Sequence, residues 1–547
     1  MSISKPIFKS LPSTSPELFP SNIFNNIPDN HPVRLVDTVV DQLDISDVLA
    51  RYKGGGTSSY HPRMMIKVLF YSYLSNVYSC RKIARALGEN IHFMFISGNS
   101  QPDFRTINDF RGKVLKEHIH KLFSEVVKLL VELGYVDLEV QYIDGTKIES
   151  SANRYTFVWR KSIEKYKDKL GVRIQSVIGA IESAIQSDNQ QVNEEVLPHS
   201  INSEALREKL SVLNKKLKEP TKKQSKELHK LQNEYLPKLE KYEKDLQIMD
   251  KRNSYSKTDT DATFMRLKDD HMKNGQLKAA YNVQISTENQ FITHSSIHQT
   301  PGDTTTLKGH LEGFEKSLGT KSKEIVADAG YGSEENYGLL EDKTMEAYVK
   351  YSYFHKEQKR KTQNNPFLVQ NLFYNKEQDF YVCPMGQRME KVATSQSKST
   401  NGYLSQVTHY QAQRCEGCPL RSGCHKASGN RNIQVNHRLN QLRKQAKNLL
   451  TSEKGLHHRS KRPVEVEAVF GQIKSNNKFN RFTLKGLPKV KLEFLLMAMG
   501  HNLRKLSALN ATLSRELKLI SRIIKAINSF YRHFSIKLDQ STLLMRI

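Results

Sequence analysis

The chain is short of acid. Across 547 residues it carries 84 Lys and Arg against 57 Asp and Glu, a formal charge of +27, and a surplus that large repels itself unless a polyanion faces it. Nucleic acid is such a polyanion. Cysteine is scarce too: five in a chain of this length argue against a disulfide framework and suit a reducing compartment. A single Trp, with no Lys/Arg helix carrying an aromatic apolar face, argues against a protein lying on a membrane surface. Long apolar runs are also missing. The opening MSISKPIFKSLPSTSPELFP has no continuous apolar segment, and the late run LEFLLMAMG is too short to span a bilayer. The expectation is a soluble cytoplasmic protein with no membrane partner and roughly two to four domains.

What is present is strongly patterned. Residues 1–30, rich in Ser, Pro and Asn, read as a flexible N-terminal arm. From Pro62 the pattern turns helical: Met65, Val68, Leu69 and Tyr73 recur at helix spacing, SNVYS breaks the run, and SCRKIARALGEN resumes it with Ser79 as N-cap. The second helix carries Arg81, Lys82 and Arg85. Residues 31–135 are therefore expected to form a helical N-terminal domain whose helix pair resembles a DNA-binding helix-turn-helix, with an ordinary αα-hairpin as the alternative. One long amphipathic helix, closed by Gly134, ends it. In residues 161–249, rich in Lys, Glu, Gln and Leu, the positions Leu206, Leu210, Leu213 and Leu217 alternate by four and three, as do Leu228, Leu231, Tyr235 and their successors. With Pro220 as the bend, this predicts an inserted coiled-coil hairpin.

The surrounding segments are strand-like. VQYID, AAYNVQIS, QFITHSSIHQ, KEIVADAG and EAYVKYSYF fall in the order strand, insert, strand, strand, helix, strand, short helix, strand. Allowing for the insert, that is the order of a ribonuclease-H-like α/β domain with a mixed sheet, here assembled from residues 136–160, 250–354 and 456–510. Residues 355–455 form a Cys-rich insert, and 511–547 a C-terminal helical tail.

In that layout Asp144 ends the first strand and Asp328 the fourth. Two carboxylates at neighbouring strand ends repel unless a cation lies between them; their hard oxygens suit Mg²⁺, which completes its shell with phosphate oxygens. RPVEVEAVFGQIKSNNKFNRF offers a third acid. With Pro463 as a first-turn residue, Val466, Val469, Phe470 and Ile473 make an apolar stripe, Glu467 lies beside it, Lys474 shares the face of Glu467, and Glu465 falls on the opposite flank. Glu467 is the choice, weighed against a surface glutamate edging an amphipathic helix.

YIDGTKIESSANRY, VADAGYGSEEN and VEVEAVFGQIKSNNKFNRF…LKGLPKVKLEFLLMAMGHNLRKL together resemble the DDE transposases of bacterial insertion sequences, in the group with a Tyr-Arg-Glu-Lys signature around the third acid. YHPRMMIKVLFYSYLSNVYSCRKIARAL…PDFRTINDFR resembles the N-terminal domain that often accompanies them. Carried over, the resemblance makes Asp144, Asp328 and Glu467 a triad holding two Mg²⁺ (or Mn²⁺) ions, and it keeps Lys474 at the signature spacing. Arg462 departs, with four residues between it and Glu467 where the signature has three, and the tyrosine is absent. The implied activity is metal-dependent cleavage and strand transfer of double-stranded DNA, at the element's terminal inverted repeats and at target DNA. The protein would work as a homodimer associated with the bacterial nucleoid, with Lys474, Arg481 and Arg462 on DNA phosphates. The alternatives are a ribonuclease-H-like nuclease without strand transfer, a catalytically dead DNA-binding repressor, and, more remotely, a zinc-scaffolded RNA-binding protein.

Cys383, Cys415, Cys418 and Cys424 cluster within the insert, in YVCPMGQRM and RCEGCPLRSGCHK. A Cys-x-x-Cys pair with further thiols nearby and Pro and Gly in the turns suits a structural Zn²⁺, with His425 as a substitute ligand; reduced, unliganded thiols are the alternative. Cys80 reads as a buried small side chain.

Overall fold

The computed structural model describes residues 22–52, 59–188, 202–216, 221–267, 275–399 and 402–510. Most of the expected arm, Leu217, Pro220 and the tail from 511 onward lie outside the described residues. The chain divides into two compact units, residues 1–118 with 499–547, and residues 119–498. Among the described residues no helix is long and apolar enough to cross a membrane.

The first unit is helical. Its helices Pro32–Gln42 and Pro62–Leu74 both open on His-Pro: the imidazole of His31 or His61 accepts a first-turn N–H, and the proline sits where no donor is needed. Ser79 stands at the N-cap of helix Cys80–Glu89, but its side chain makes no capping bond, contrary to expectation. Asn90 ends that helix and caps Ile91–Ser97 through the N–H groups of His92 and Phe93. Val36, Val40, Ile66, Leu69, Ile83 and Leu87 are buried as its core. The expected single helix after Pro102 contains a wide π-turn at Phe110–Leu115 between helices Phe104–Asp109 and Lys116–Glu132, and Gly134 follows in the left-handed region at φ +72°.

The second unit is built on a mixed six-stranded sheet. Its strands are β1 (Val140–Glu149), β4 (Thr263–Arg266), β5 (Leu277–Glu288), β6 (Phe291–His298), β7 (Glu324–Ala327) and β8 (Glu346–Val349); β2 (Phe157–Trp159) and β3 (Ser254–Ser256) pair separately. The order is β4-β5-β1-β7-β8, with β6 also on β5. β5 and β6 join through Asn289 and Gln290, both at positive φ, which gives a two-residue hairpin. Helices Leu307–Leu318 and Glu334–Asp342 cover one face: Leu307, Leu311, Tyr337 and Leu340 pack on Ile143, Ile325, Ala327 and Val349. Helix Glu453–Arg462 lies over the other, where the Tyr142 hydroxyl meets His458 Nδ1 at 2.9 Å.

The insert after β2 has three arms, not the two of the expected hairpin. Arg160–Asp188 is a helix in its own right, followed by Ser203–Lys216 and by Lys222–Met249 with a wide turn at Leu231–Tyr235. The reading from leucine spacing overlooked Leu170, Ile174, Ile178 and Ile181, which bury against Leu206, Leu210, Leu213, Leu228, Leu231 and Leu239. A Thr221–Gln224 capping box opens the third arm. The Cys-bearing insert is a five-stranded antiparallel sheet in the order β13-β12-β11-β10-β9, from β9 (Phe373–Asn375), β10 (Phe380–Val382), β11 (Arg388–Lys398), β12 (Leu404–Ala412) and β13 (Asn432–Val435).

Because Ile174 is fully buried at the meeting of the three arms, Ile174→Ala should cost the bundle about 2–5 kcal/mol. The readout is a loss of amide hydrogen-exchange protection across 160–188, and a solvated outer arm would lose none.

Candidate active site

Three adjacent parallel strands fall in register where β7 and β8 end and midway along β1, which runs on to Glu149, so Asp144 does not end the first strand as expected but stands where its parallel pairing with β7 stops. Ile143 opposes Ala327 across β1 and β7, and Ala327 opposes Val349 across β7 and β8. The next residue on each chain is Asp144, Asp328 and Lys350. Side chains alternate along a strand, so with Ile143, Ala327 and Val349 packed on the helix-covered apolar face, this row belongs to the opposite face. Lys350 N–H donates to the Ala327 carbonyl at 3.3 Å, which carries the pairing one residue past the strand end.

Helix Glu453–Arg462 meets that face with one side of cationic residues four apart. Lys454 Nζ lies 2.6 Å from Glu324 Oε1, His458 Nε2 lies 2.9 Å from Glu324 Oε2, and Arg462 Nη2 lies 3.1 Å from Asp144 Oδ1. Burial, opposed by Glu324, holds the His458 ring below the ordinary imidazole pKa. The ring thus stands between the Tyr142 hydroxyl at Nδ1 and the Glu324 carboxylate near Nε2. Arg462 is 4 % exposed, and its other terminal nitrogen, Nη1, donates to Glu467 Oε1 at 2.5 Å. One buried guanidinium therefore holds an acid from β1 and an acid from the C-terminal helix together.

The backbone explains how Arg462 reaches Glu467 across four intervening residues. Pro463 is not a first-turn residue, as expected from sequence, because the helix begins at Glu453 and runs through it. Pro463–Glu467 is a wide π-turn: Ala468 N–H bonds back to the Pro463 carbonyl, five residues away instead of four. The turn absorbs one residue, with Val464 out in solvent at 58 % exposure, and brings residue i+5 to where i+4 lies in a regular helix. The irregular Arg–Glu spacing is thus compensated by local geometry. Val466, Val469, Phe470 and Ile473 are all buried, as their stripe requires. Glu465 is buried as well, accepting the N–H of Gln290 at 2.6 Å in the β5–β6 turn, whereas the Glu467 side chain is half-exposed.

Beneath the row, on the opposite face of the sheet, lies a polar floor. Asp303 Oδ1 accepts from Asn282 Nδ2 at 2.8 Å and Gln284 Nε2 at 2.9 Å, and Gln284 Oε1 accepts the Tyr331 hydroxyl proton. Gly145, next to Asp144, makes room for it: a Cβ there would stand 2.2 Å from Gln284 Nε2 and 2.8 Å from Asp303 Oδ1. Thr304 Oγ1 donates to the Gly330 carbonyl at 2.7 Å and so ties the turn after Asp328 to the same floor. Burial, then the charges of Asp303 and Asp144, hold the Tyr331 phenol well above its ordinary pKa, so it stays a donor.

The structure thus brings together Asp144, Asp328, Arg462 and Glu467. Among the described residues, no three acid, His or Cys side chains stand close enough to hold one metal ion. The donor set nevertheless suits a hard divalent cation, because two carboxylates stand at the same register on adjacent strands and a third is tethered to the first through Arg462. Lys474 is half-buried in a second wide turn, Gln472–Asn476. The Arg481 guanidinium donates to the carbonyls of Ser150 at 2.9 Å and Ala152 at 2.8 Å while its side chain stays about half-exposed. In the helical unit, Arg81, Lys82 and Arg85 share the exposed side of helix Cys80–Glu89, with Arg81 over the Phe104 ring at 5.0 Å and Arg85 paired with Glu89 at 2.8 Å. Cys383, Cys415, Cys418, Cys424 and His425 line one small recess. There Arg431 donates its N–H to Cys415 Sγ at 3.3 Å and Nη1 to Cys424 Sγ at 3.1 Å, and His425 Nε2 bonds the Gly429 carbonyl at 2.9 Å.

Sequence reasoning missed Lys350 and Asp303. Lys350 lies in the run EAYVKYSYF, one residue beyond the strand, and counting strand-end residues across the sheet would have found it. Asp303 read only as a residue near the cap of the next helix.

Comparison with known families bears on both units. A family model described as the transposase DDE domain matches residues 382–507, which includes the cysteines, Arg462, Glu467 and Lys474 but neither aspartate of the row. A second, the transposase domain DUF772, matches residues 21–113. No curated protein matches the chain. Both matches are to transposase domains, DUF772 in the N-terminal region and the DDE domain in the C-terminal one, and these stretches of the chain are those of a DDE transposase.

Proposed function

We propose that this chain is the DNA transposase of a bacterial insertion sequence, that its sheet is a ribonuclease-H-like catalytic domain, and that Asp144, Asp328 and Glu467 are its catalytic acids. The observation that carries the reading is the pair of aspartates at the same register on adjacent parallel strands, with Glu467 tethered to the first of them through Arg462. Open α/β sheets take their ligands at the carboxyl ends of strands, and the row lies at those of β7 and β8. Asp144, Asp328 and Glu467 would hold Mg²⁺ or Mn²⁺ as a pair of ions, which when bound supply an activated water and charge relief at a leaving phosphate oxygen.

The chain's own residues do the rest. Arg462 balances the charge of two acids and keeps Glu467 in place, and the floor around Asp303 fixes the turns that carry Asp144 and Asp328. Hydrolysis at the element end frees a 3′-hydroxyl, which then attacks target DNA in the same pocket, so no covalent protein–DNA intermediate arises. The helical unit binds the duplex through its exposed basic side, Arg81, Lys82 and Arg85, chiefly by phosphate contacts. Two copies would bridge the two terminal repeats, in the bacterial cytoplasm at the nucleoid. The four cysteines line one recess and would hold a structural Zn²⁺ there when drawn together around it.

Asp144→Ala, Asp328→Ala and Glu467→Gln should each lower Mg²⁺-dependent nicking of end-containing duplex by at least about 100-fold, measured on end-labelled DNA; full nicking by any folded variant rejects the triad. Strand joining by wild type with a pre-cut end is expected, and its absence would leave a nuclease. Deleting the bulged Val464 should turn the wide turn into a regular one and keep nicking within about tenfold, whereas Arg462→Ala should lose it; a folded, inactive deletion variant contradicts that account. Elemental analysis should find about one zinc per chain, lost on Cys418→Ser, and a metal-free wild type would instead mean free thiols.

A further inference from the structure

The third position of the row is a cation. Lys350 follows Val349 as Asp328 follows Ala327 and Asp144 follows Ile143. It is half-buried, and among the described residues its ammonium makes no hydrogen bond or ion pair. Its surroundings are mixed: the charges acting on it are those of Arg462, Asp328, Arg459 and Glu467. Burial, followed by the repulsion of Arg462, pulls its pKa below the ordinary lysine value, with Asp328 and Glu467 opposing. His355 lies within the same field, under the influence of Lys350, Arg459 and Asp328. Arg459 is packed over the Phe354 ring at 5.0 Å and donates to the Leu450 carbonyl at 3.4 Å.

Taking an ammonium out of water without a partner is costly, and a fold keeps such a group where an anion arrives to complete it. A salt bridge to Asp328 would discharge that cost, yet none is made. A lysine is a compact point charge with three rotatable donors, suited to a tetrahedral phosphate approached from one side.

We propose that Lys350 is a further catalytic residue of this site, its ammonium binding a non-bridging oxygen of the DNA phosphate at or next to the scissile bond, with Arg459 as the neighbouring cation of that wall. This rests on the acid assignment above. It differs from the roles given to Arg462, which is engaged by two carboxylates, and to the basic helix of the N-terminal unit, which would hold the duplex at large.

The test uses the full chain, Lys350→Met and Lys350→Arg, and a duplex carrying an end of the encoding element. Lys350→Met should slow nicking by about 100-fold while duplex affinity changes by less than about threefold, because a contact at the reacting phosphate acts on the transition state and overall affinity comes from many phosphates. Lys350→Arg should recover at least about tenfold of that loss. The decisive arm replaces single phosphates around the scissile bond with neutral methylphosphonates. At the contacted position, wild type and Lys350→Met should become equal, while elsewhere their difference should persist. Wild-type nicking by Lys350→Met, or a difference that persists at every neutralised position, overturns the proposal. Should the methionine variant not fold, Lys350→Gln is read in the same way. Loss of nicking in Asp144→Ala alongside an unaffected Lys350→Met sinks the lysine alone, whereas full nicking by Asp144→Ala sinks the assignment beneath it.

Discussion

One buried guanidinium ties the arrangement together. Arg462 comes from a helix that the chain reaches only after the helical insert, the sheet and the Cys-bearing insert, and it joins that helix to the middle of β1 by taking Asp144 with one nitrogen and Glu467 with the other. A charge so deeply buried is stable only while both partners stay. The same helix is pinned further back by Lys454 and His458 on Glu324, so three residues spaced by four set its position along the sheet. The remoteness of the third acid in sequence is thereby overcome by ordinary helix periodicity, with a single wide turn correcting the last step.

The sheet supplies the complementary constraint. Parallel pairing fixes strand ends to within one residue, because a slip by one would turn the acids into the apolar face against Leu307 and Leu311. Gly145 matters for the same reason. Only a residue without a side chain lets Gln284 and Asp303 close up beneath the strand at the point where Asp144 faces the other way. Asn282, Gln284 and Tyr331 bond among themselves and to Asp303 to make the floor behind the acids.

Much of this was legible in the sequence. β-branched and aromatic residues announced the strands at 140–149 and 324–327, although the first runs five residues past Asp144, and the stripe Val466, Val469, Phe470 and Ile473 announced the C-terminal helix, because burial periodicity is a local property. The preference for Glu467 over Glu465 accords with their surroundings, one half-exposed on Arg462 and the other buried under the β5–β6 turn. What the pattern did not carry was departure from ideal periodicity. Leu170, Ile174, Ile178 and Ile181 were passed over because a leucine heptad was sought, and the π-turns at 463–467 and 472–476 depart from the 3.6-residue period that the projection assumed. The bonds of Arg481 to the carbonyls of Ser150 and Ala152, far away in sequence, were likewise not legible. Lys350 and Asp303 gain meaning only from strand register, which a single sequence does not print.

The central claim is spatial: three acids from distant segments share one divalent-cation pocket. Iron-mediated cleavage reads it directly. With Fe²⁺ in place of Mg²⁺ and ascorbate with peroxide present, hydroxyl radicals formed at the bound ion cut the polypeptide nearby. The account predicts cuts clustered beside Asp144, Asp328 and Glu467, suppressed together by excess Mg²⁺. Cuts confined to one of the three segments, or found only around Cys415 and Cys424, would contradict it.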